Sequence, residues 1–456
     1  MAPVTNFPLK DPYEYLEGFG NYHRSEAIPG AIPVAINSPQ IPPFGLRTER
    51  ISGSSFVTPR EQSYHTFLYR LNSSLIHSDF KPLNVTEGYG APSPTSPDYV
   101  TPNSLFWSSF PVPKTANWVN GQQLLGKNGE PQKKEGMALW IFSVTQSMDS
   151  RQAYSSLDGD CLIIPQAGTL DIQTELGRLL VRQNEIVVIP RSVRYRVTLP
   201  DDKPCRGYIC ELYEGHFRLP DLGVIGSTGL ANVRDFQVPT AFVHENVAGC
   251  IRSNEQPAEE EWTIVSRLFG KLWHCTQTHT PFDVAGWHGT SYPYKFDLGR
   301  FSTLGNVRFD HHDPSLFTAL SARNHGAEPS TAIVDFAILT PRWFSAEGTL
   351  QLPYFHRNTM QEFYGPIISN PSPKSPLNEE TNAFTPFAAG LNGCMTTHGP
   401  GEEDFQASRE QDMSKPTKAD DLGVSVFLLE TDRPLILSEW ASKCASLNHY
   451  KVAGRL

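Results

Sequence analysis

This chain of 456 residues contains no basic run, no long apolar stretch and no paired cysteine framework, and each absence removes a class of function. Lys and Arg total 38 against 48 Asp and Glu, a net charge of −10, and the cations are scattered. Binding to nucleic acid needs a basic stripe, so nucleic acid is not an expected partner. No apolar run approaches the ~20 residues that span a bilayer, so no membrane partner is expected either. The opening stretch Met1 to Pro8 lacks a charged region followed by an apolar core, which excludes a secretory signal and points to a cytoplasmic protein. The seven cysteines are odd in number and dispersed. Cys205 and Cys210, the nearest pair, have no second pair to complete a zinc site, so reduced thiols are expected. Gly223 to Gly229 lacks the lysine of a phosphate-binding loop, and no Gly-x-Ser-x-Gly elbow occurs.

Proline (38) and glycine (34) are abundant and spread along the chain, which favours a turn-rich β protein of ordinary globular composition. The length allows two domains. Strand signals are clearest between Asp160 and Leu199: Cys161–Pro165, Gly168–Thr174, Gly177–Val181, Glu185–Arg191 and Tyr195–Thr198 are short β-prone runs separated by turn residues. Such spacing predicts a sandwich or barrel of jelly-roll type. This stretch lies in a region without histidine between His77 and His216, so a cupin-like sheet here would be metal-free. Further strands are expected at Tyr64–Tyr69, Ala332–Leu339 and Val424–Glu430. The division expected is a β-rich, metal-free N-terminal domain over 1–280, a jelly-roll, cupin-like domain over 281–440 and a tail over 441–456.

Histidine is concentrated late: eight of the 14 lie between His274 and His398. His356 and Glu362, followed by His398, supply two imidazoles and one carboxylate. That set holds a non-haem Fe(II) on one face and leaves positions open for O2 and substrate. Fully extended, His356 and Glu362 would stand about 20 Å apart at roughly 3.3 Å per residue, so a turn must intervene. Arg357-Asn358-Thr359 is a suitable place for it, Asn being a turn former. A hairpin with solvated His and Glu remains the alternative. Asp310-His311-His312-Asp313 offers imidazoles able to accept a proton near neutral pH, or a surface turn whose aspartates bond the local backbone. Ala285 to Lys295, rich in Gly and aromatics, could line an apolar pocket or form a core strand and turn.

Several motifs together resemble the homogentisate 1,2-dioxygenase family of fungal type, over nearly the whole chain. They are Gly18-Phe19-Gly20-Asn21-Tyr22-His23, Gly30-Ala31-Ile32-Pro33, Asn37 to Gln40, Ser52 to Phe56, Asp171 to Gly177, Ile189-Pro190-Arg191, Trp287-His288-Gly289, Phe309-Asp310-His311, Pro341-Arg342-Trp343 and His356-Arg357-Asn358. The resemblance implies Fe(II) held by His356, Glu362 and His398, with His398 also among the substrate contacts and His311 as the proton-accepting base. It further implies a jelly-roll C-terminal domain and a homo-oligomer, trimer or hexamer. The implied reaction opens the ring of homogentisate with O2 to give 4-maleylacetoacetate, a step of tyrosine and phenylalanine catabolism. Two positions depart from the family pattern. Pro371 stands where the family has a substrate-contacting Tyr nine residues after the Glu ligand, and Asn392 where it has a His six residues before the last ligand. A proline cannot donate the hydrogen bond of a Tyr hydroxyl; a lost bond to a charged group costs about 1.5–3 kcal/mol, roughly tenfold to a hundredfold in affinity. The stretch 366–382 is expected to be a Pro/Ser-rich loop that could cover the site. Two rival readings follow: a paralogue of the same fold acting on another hydroquinone or phenol, and a catalytically silent β-sandwich used for binding.

Overall fold

The computed structural model describes residues 6, 9–86, 89–221, 231–301, 304–306, 317–324, 332–345, 347–350, 354–368, 386–419 and 425–447. The architecture is mainly β, as expected, with the strands of the described residues arranged in five sheets. At the centre of a nine-stranded sheet, Asp160–Ala167 pairs antiparallel with Glu185–Ile189 on one side and Cys205–Leu212 on the other, and Met137–Val144 follows. Met137–Val144 and Glu185–Ile189 are buried at every residue, so both faces of this sheet are covered. Its sequences accordingly read as continuous apolar runs. A seven-stranded sheet behaves differently: in Thr169–Thr174, Leu170 and Ile172 are buried while Asp171 and Gln173 are not, the alternation of a sheet with one wet face. The strands expected between 160 and 199 all form, within a residue or two of the sequence reading.

A second seven-stranded sheet carries the C-terminal residues of interest. Its order is Thr318–Arg323, Ala332–Leu339, Ser425–Thr431, Gln361–Ile368, Ala389–Asn392, Leu105–Trp107 and Ser446–Leu447. Leu105–Trp107 comes from far earlier in the chain and pairs with Ala389–Asn392. Strands Val284–Gly289 and Tyr294–Asp297 are hydrogen-bonded to strands of the first 280 residues, so the sheets cross the division drawn at 280 from sequence.

The two halves share one apolar core. Tyr208 reaches out of the nine-stranded sheet; its hydroxyl donates to the carbonyl of Ala388 at 2.7 Å and its ring lies 4.7 Å from that of Phe427. Gln183 Nε2 donates to the carbonyl of Ile367 at 2.9 Å. Trp107 is fully buried, packs edge-on to Phe363 and donates its indole N–H to the carbonyl of Ala441 at 2.9 Å. These contacts fix the strands Gln361–Ile368 and Ala389–Asn392 against the rest of the molecule.

Two expectations are corrected, and one open alternative is decided. The stretch 366–382 is not loop throughout: Pro366, Ile367 and Ile368 close the strand Gln361–Ile368, with a register irregularity between Pro366 and Ile368. A bulge of this kind tolerates a proline that cannot donate to the ladder. Residues 369–385, including Pro371, lie outside the described residues. The bend between His356 and Glu362 falls at 359–360, slightly later than expected. Val284–Gly289 is a wholly buried strand: Trp287 Nε1 donates to the carbonyl of Leu176, and His288 Nε2 sits 2.9 Å from the Tyr69 hydroxyl, so this segment is core.

Trp107→Ala should destabilise the fold by about 3–5 kcal/mol, the cost of emptying a large buried aromatic site. Urea unfolding followed by tryptophan fluorescence and far-UV circular dichroism measures it. A loss under about 1 kcal/mol would mean that this strand does not tie the halves together.

Candidate metal centre

His356 and His398 face each other across an isolated antiparallel bridge. The His356 amide donates to the His398 carbonyl at 3.0 Å, and the His398 amide donates back at 3.1 Å. A reciprocal pair of this kind sets two side chains directly opposite on the same face. The rings stand 4.2 Å apart between centroids, tilted at 66°. Glu362 enters from the adjacent strand Gln361–Ile368. Its Oε1 is 3.6 Å from His356 Nε2, and its Oε2 is 3.0 Å from His398 Nε2. All three candidate ligand atoms fall within 4.8 Å of one another.

The close approach depends on Gly399. A Cβ there would lie 2.8 Å from Phe355 Cδ1 and 3.1 Å from Phe355 Cα, so any side chain would push the two histidine segments apart.

The imidazoles are oriented alike. His356 Nδ1 donates to the carbonyl of Tyr354 and His398 Nδ1 to that of Thr396, each at 3.0 Å and each two residues back. With the proton on Nδ1, each Nε2 presents a lone pair toward Glu362. The carboxylate is held from the other side by amides: Asn358 Nδ2 donates to Oε1 at 2.7 Å, and Asn392 Nδ2 to Oε2 at 3.1 Å. Burial alone would raise the Glu362 carboxyl, but its contacts with His356, His398 and Asn392 outweigh burial and hold it well below the usual carboxylate range. The contact with Glu362 raises His356, against the opposing effect of burial. Glu430 stands directly across the sheet from Glu362 and adds to the negative potential around His356.

Two features test whether these residues suit a cation. His398 Nε2 is buried without a hydrogen-bond partner although Glu362 Oε2 is only 3.0 Å away. Two acceptors at that distance require a proton or a cation between them. A proton on Nε2 would join His398 to Glu362 only, whereas one cation joins both imidazoles and the carboxylate together. The donor set also fits: two imidazoles and one carboxylate suit Fe(II) and leave positions for other ligands. Glu362 and His398 are buried, while the His356 side chain keeps 26% of its exposure, so access comes from the His356 side.

The structure thus brings together His356, Glu362 and His398. His311 lies outside the described residues. Asn392 is described, and it holds Glu362. The sequence reading used Asn358 as a turn former and as part of the His356-Arg357-Asn358 motif, and assigned it no role toward Glu362. Glu430 carried no signal beyond its place at the end of a β-prone run.

Gly399→Ala should lower affinity for Co(II), a visible stand-in for Fe(II), roughly tenfold to a hundredfold, the range seen when a metal ligand loses its support. Anaerobic competition titration against a chelator measures it. Unchanged affinity would show that the close approach of Gly399 to Phe355 does not set the histidine spacing.

Comparison with known proteins identifies the family of the chain. The family model for the homogentisate 1,2-dioxygenase N-terminal region matches residues 14–298, and that for the C-terminal region matches residues 299–453. The homogentisate 1,2-dioxygenase of Emericella nidulans is 45% identical over 441 residues, covering 97% of this chain and 94% of the relative. That of Dictyostelium discoideum is 40% identical, covering 94% of each chain. That of Drosophila melanogaster is 39% identical, covering 96% of this chain and 95% of the relative. With both family models spanning the chain and these relatives collinear with it, the chain belongs to the homogentisate 1,2-dioxygenase family.

Proposed function

We propose that this protein is an Fe(II)-dependent ring-cleaving dioxygenase that converts homogentisate and O2 to 4-maleylacetoacetate, in tyrosine and phenylalanine catabolism. The convergence of two imidazole lone pairs and one carboxylate on a single point is the observation that carries the reading. His356, Glu362 and His398 would hold the iron. Fe(II) bound there supplies Lewis acidity toward a phenol oxygen and the capacity to react with O2. Two neutral imidazoles and one carboxylate leave it one net positive charge, enough to favour the phenolate over the phenol. His311 takes the phenol proton. The exposed side of His356 admits the aromatic substrate, while the buried sides at Glu362 and His398 exclude water. Both atoms of O2 end in the ring-opened product. A homo-oligomer, trimer or hexamer, and a cytoplasmic location belong to the same proposal.

A second reading has one specific observation in its favour. Asn392 occupies a buried place beside Glu362 where the family pattern calls for His, and Pro371 replaces a family Tyr. A dioxygenase with the same iron site but another hydroquinone or phenol as substrate would carry such changes. The convergent ligand set weighs against a silent binding module.

Anaerobic loading with Fe(II), addition of homogentisate and measurement of O2 uptake with product absorbance tests both readings. Rapid uptake is expected, falling to background in His356→Ala and after iron removal by chelator. Fe(II) should restore it; Zn(II), which has no redox chemistry, should not. Bound iron without homogentisate turnover would transfer the proposal to the second reading.

A further inference from the structure

Asn358 and Asn392 approach opposite oxygens of one buried carboxylate, and they do so from the two segments that carry the histidines. Asn358 lies two residues after His356, and its carbonyl accepts the Met395 amide at 2.8 Å. Asn392 is the direct cross-strand partner of Glu362 and precedes His398 by six residues. Each uses an amide N–H on Glu362: Oε1 at 2.7 Å for Asn358, Oε2 at 3.1 Å for Asn392. The opposite orientation of either amide would set its carbonyl against a carboxylate oxygen. Both Oδ1 atoms are consequently buried without a hydrogen-bond partner. An apolar side chain of similar size at either place would leave no such atom, so each amide is of use only through its bond to Glu362.

We propose that Asn358 and Asn392 form a neutral, two-sided clamp that fixes the plane of the Glu362 carboxylate and so sets the affinity of the centre for a divalent cation. The inference rests on the assignment of His356, Glu362 and His398 as metal ligands. One lone pair on each carboxylate oxygen is occupied by an amide, and the other stays directed at the centre between the two Nε2 atoms. An amide holds the carboxylate without adding charge, whereas a cationic donor in its place would repel the dication that the site is built to take. Asn392 is therefore a positioning residue acting through Glu362. In this chain the neutral amide takes over the donor role that an imidazole could fill at the same place.

The test measures metal binding and needs no turnover. Co(II) affinity is read by anaerobic chelator competition, and coordination by the visible absorption of the bound Co(II), for the full chain and for Asn358→Leu, Asn392→Leu, the double variant and Asn392→His. Each Leu variant should bind roughly tenfold to a hundredfold more weakly, as for loss of other outer partners of metal ligands, with an altered visible spectrum. The double variant should lose less than the two single losses combined, because a carboxylate freed on one side no longer gains fully from the other. Asn392→His, which keeps an N–H donor, should bind within about threefold of the parent and guards against misfolding of the Leu variants. Leu variants with parental affinity and spectrum would overturn the clamp while leaving the ligand assignment standing. Failure of the parent chain to bind Co(II) or Fe(II) would overturn both.

Discussion

Two electron pairs aimed at each other organise this site. With the imidazole proton on Nδ1, His398 Nε2 and Glu362 Oε2 face each other as acceptors, 3.0 Å apart and buried, a contact that is favourable only with a proton or a cation between them. The surroundings enforce it. Backbone carbonyls two residues before each histidine take the Nδ1 protons, so the lone pairs are left on the inner nitrogens. Amides hold both carboxylate oxygens, so Glu362 cannot turn away. Were either carbonyl contact absent, the imidazole could shift its proton to Nε2 and bond Glu362 directly. The centre would then be a simple hydrogen-bonded cluster with little call for a metal.

That precision depends on register. Glu362 lies between Asn392 on one neighbouring strand and Glu430 on the other, all three in one row across the sheet. A slip of one residue would send Glu362 to the opposite face and bring Phe363 to the site. Leu105–Trp107 prevents Ala389–Asn392 from being an edge strand, and Tyr208 ties the same strands to the nine-stranded sheet. Placement of Glu362, a proposed metal ligand, thus depends partly on aromatic residues from the first half of the chain. This explains why the sheets do not respect the boundary drawn at residue 280.

The legible parts of the sequence were those governed by local rules. The strands between 160 and 199 follow from short β-prone runs and the turns that separate them, and Ala332–Leu339 forms over the residues expected. The three ligand types were also visible, because chemistry restricts which side chains hold Fe(II). Their convergence was not, since it rests on a bridge between His356 and His398, 42 residues apart, and on a bend at 359–360. Asn392 shows the limit most clearly. Compared position by position with the family pattern, it counted only as a departure from a His; its neighbour, Glu362, is a cross-strand partner that only the fold supplies. The Trp287-His288 segment had the reverse fate, since its aromatics suited a pocket equally well until burial and hydrogen bonds placed them in the core.

The energetic cost of the centre falls where the fold can bear it. His398 Nε2, Asn358 Oδ1 and Asn392 Oδ1 are buried without hydrogen-bond partners, and each such atom costs about 1–3 kcal/mol. Against a net stability of about 5–15 kcal/mol for a typical domain, that sum is large. Cation binding directly offsets the part that belongs to His398, and its free energy adds to the stability of the folded state alone. The strands bearing the site are also secured by Trp107, Tyr208, Phe363 and Phe427, residues of the apolar core that are not among the candidate ligands. Metal loading at the proposed site would therefore tighten the ends of strands that are already placed, unlike a small zinc domain that folds around its ion. An apolar core that fixes the backbone allows a few polar atoms to stay unsatisfied, and those atoms are the ones that give the site its demand for a cation.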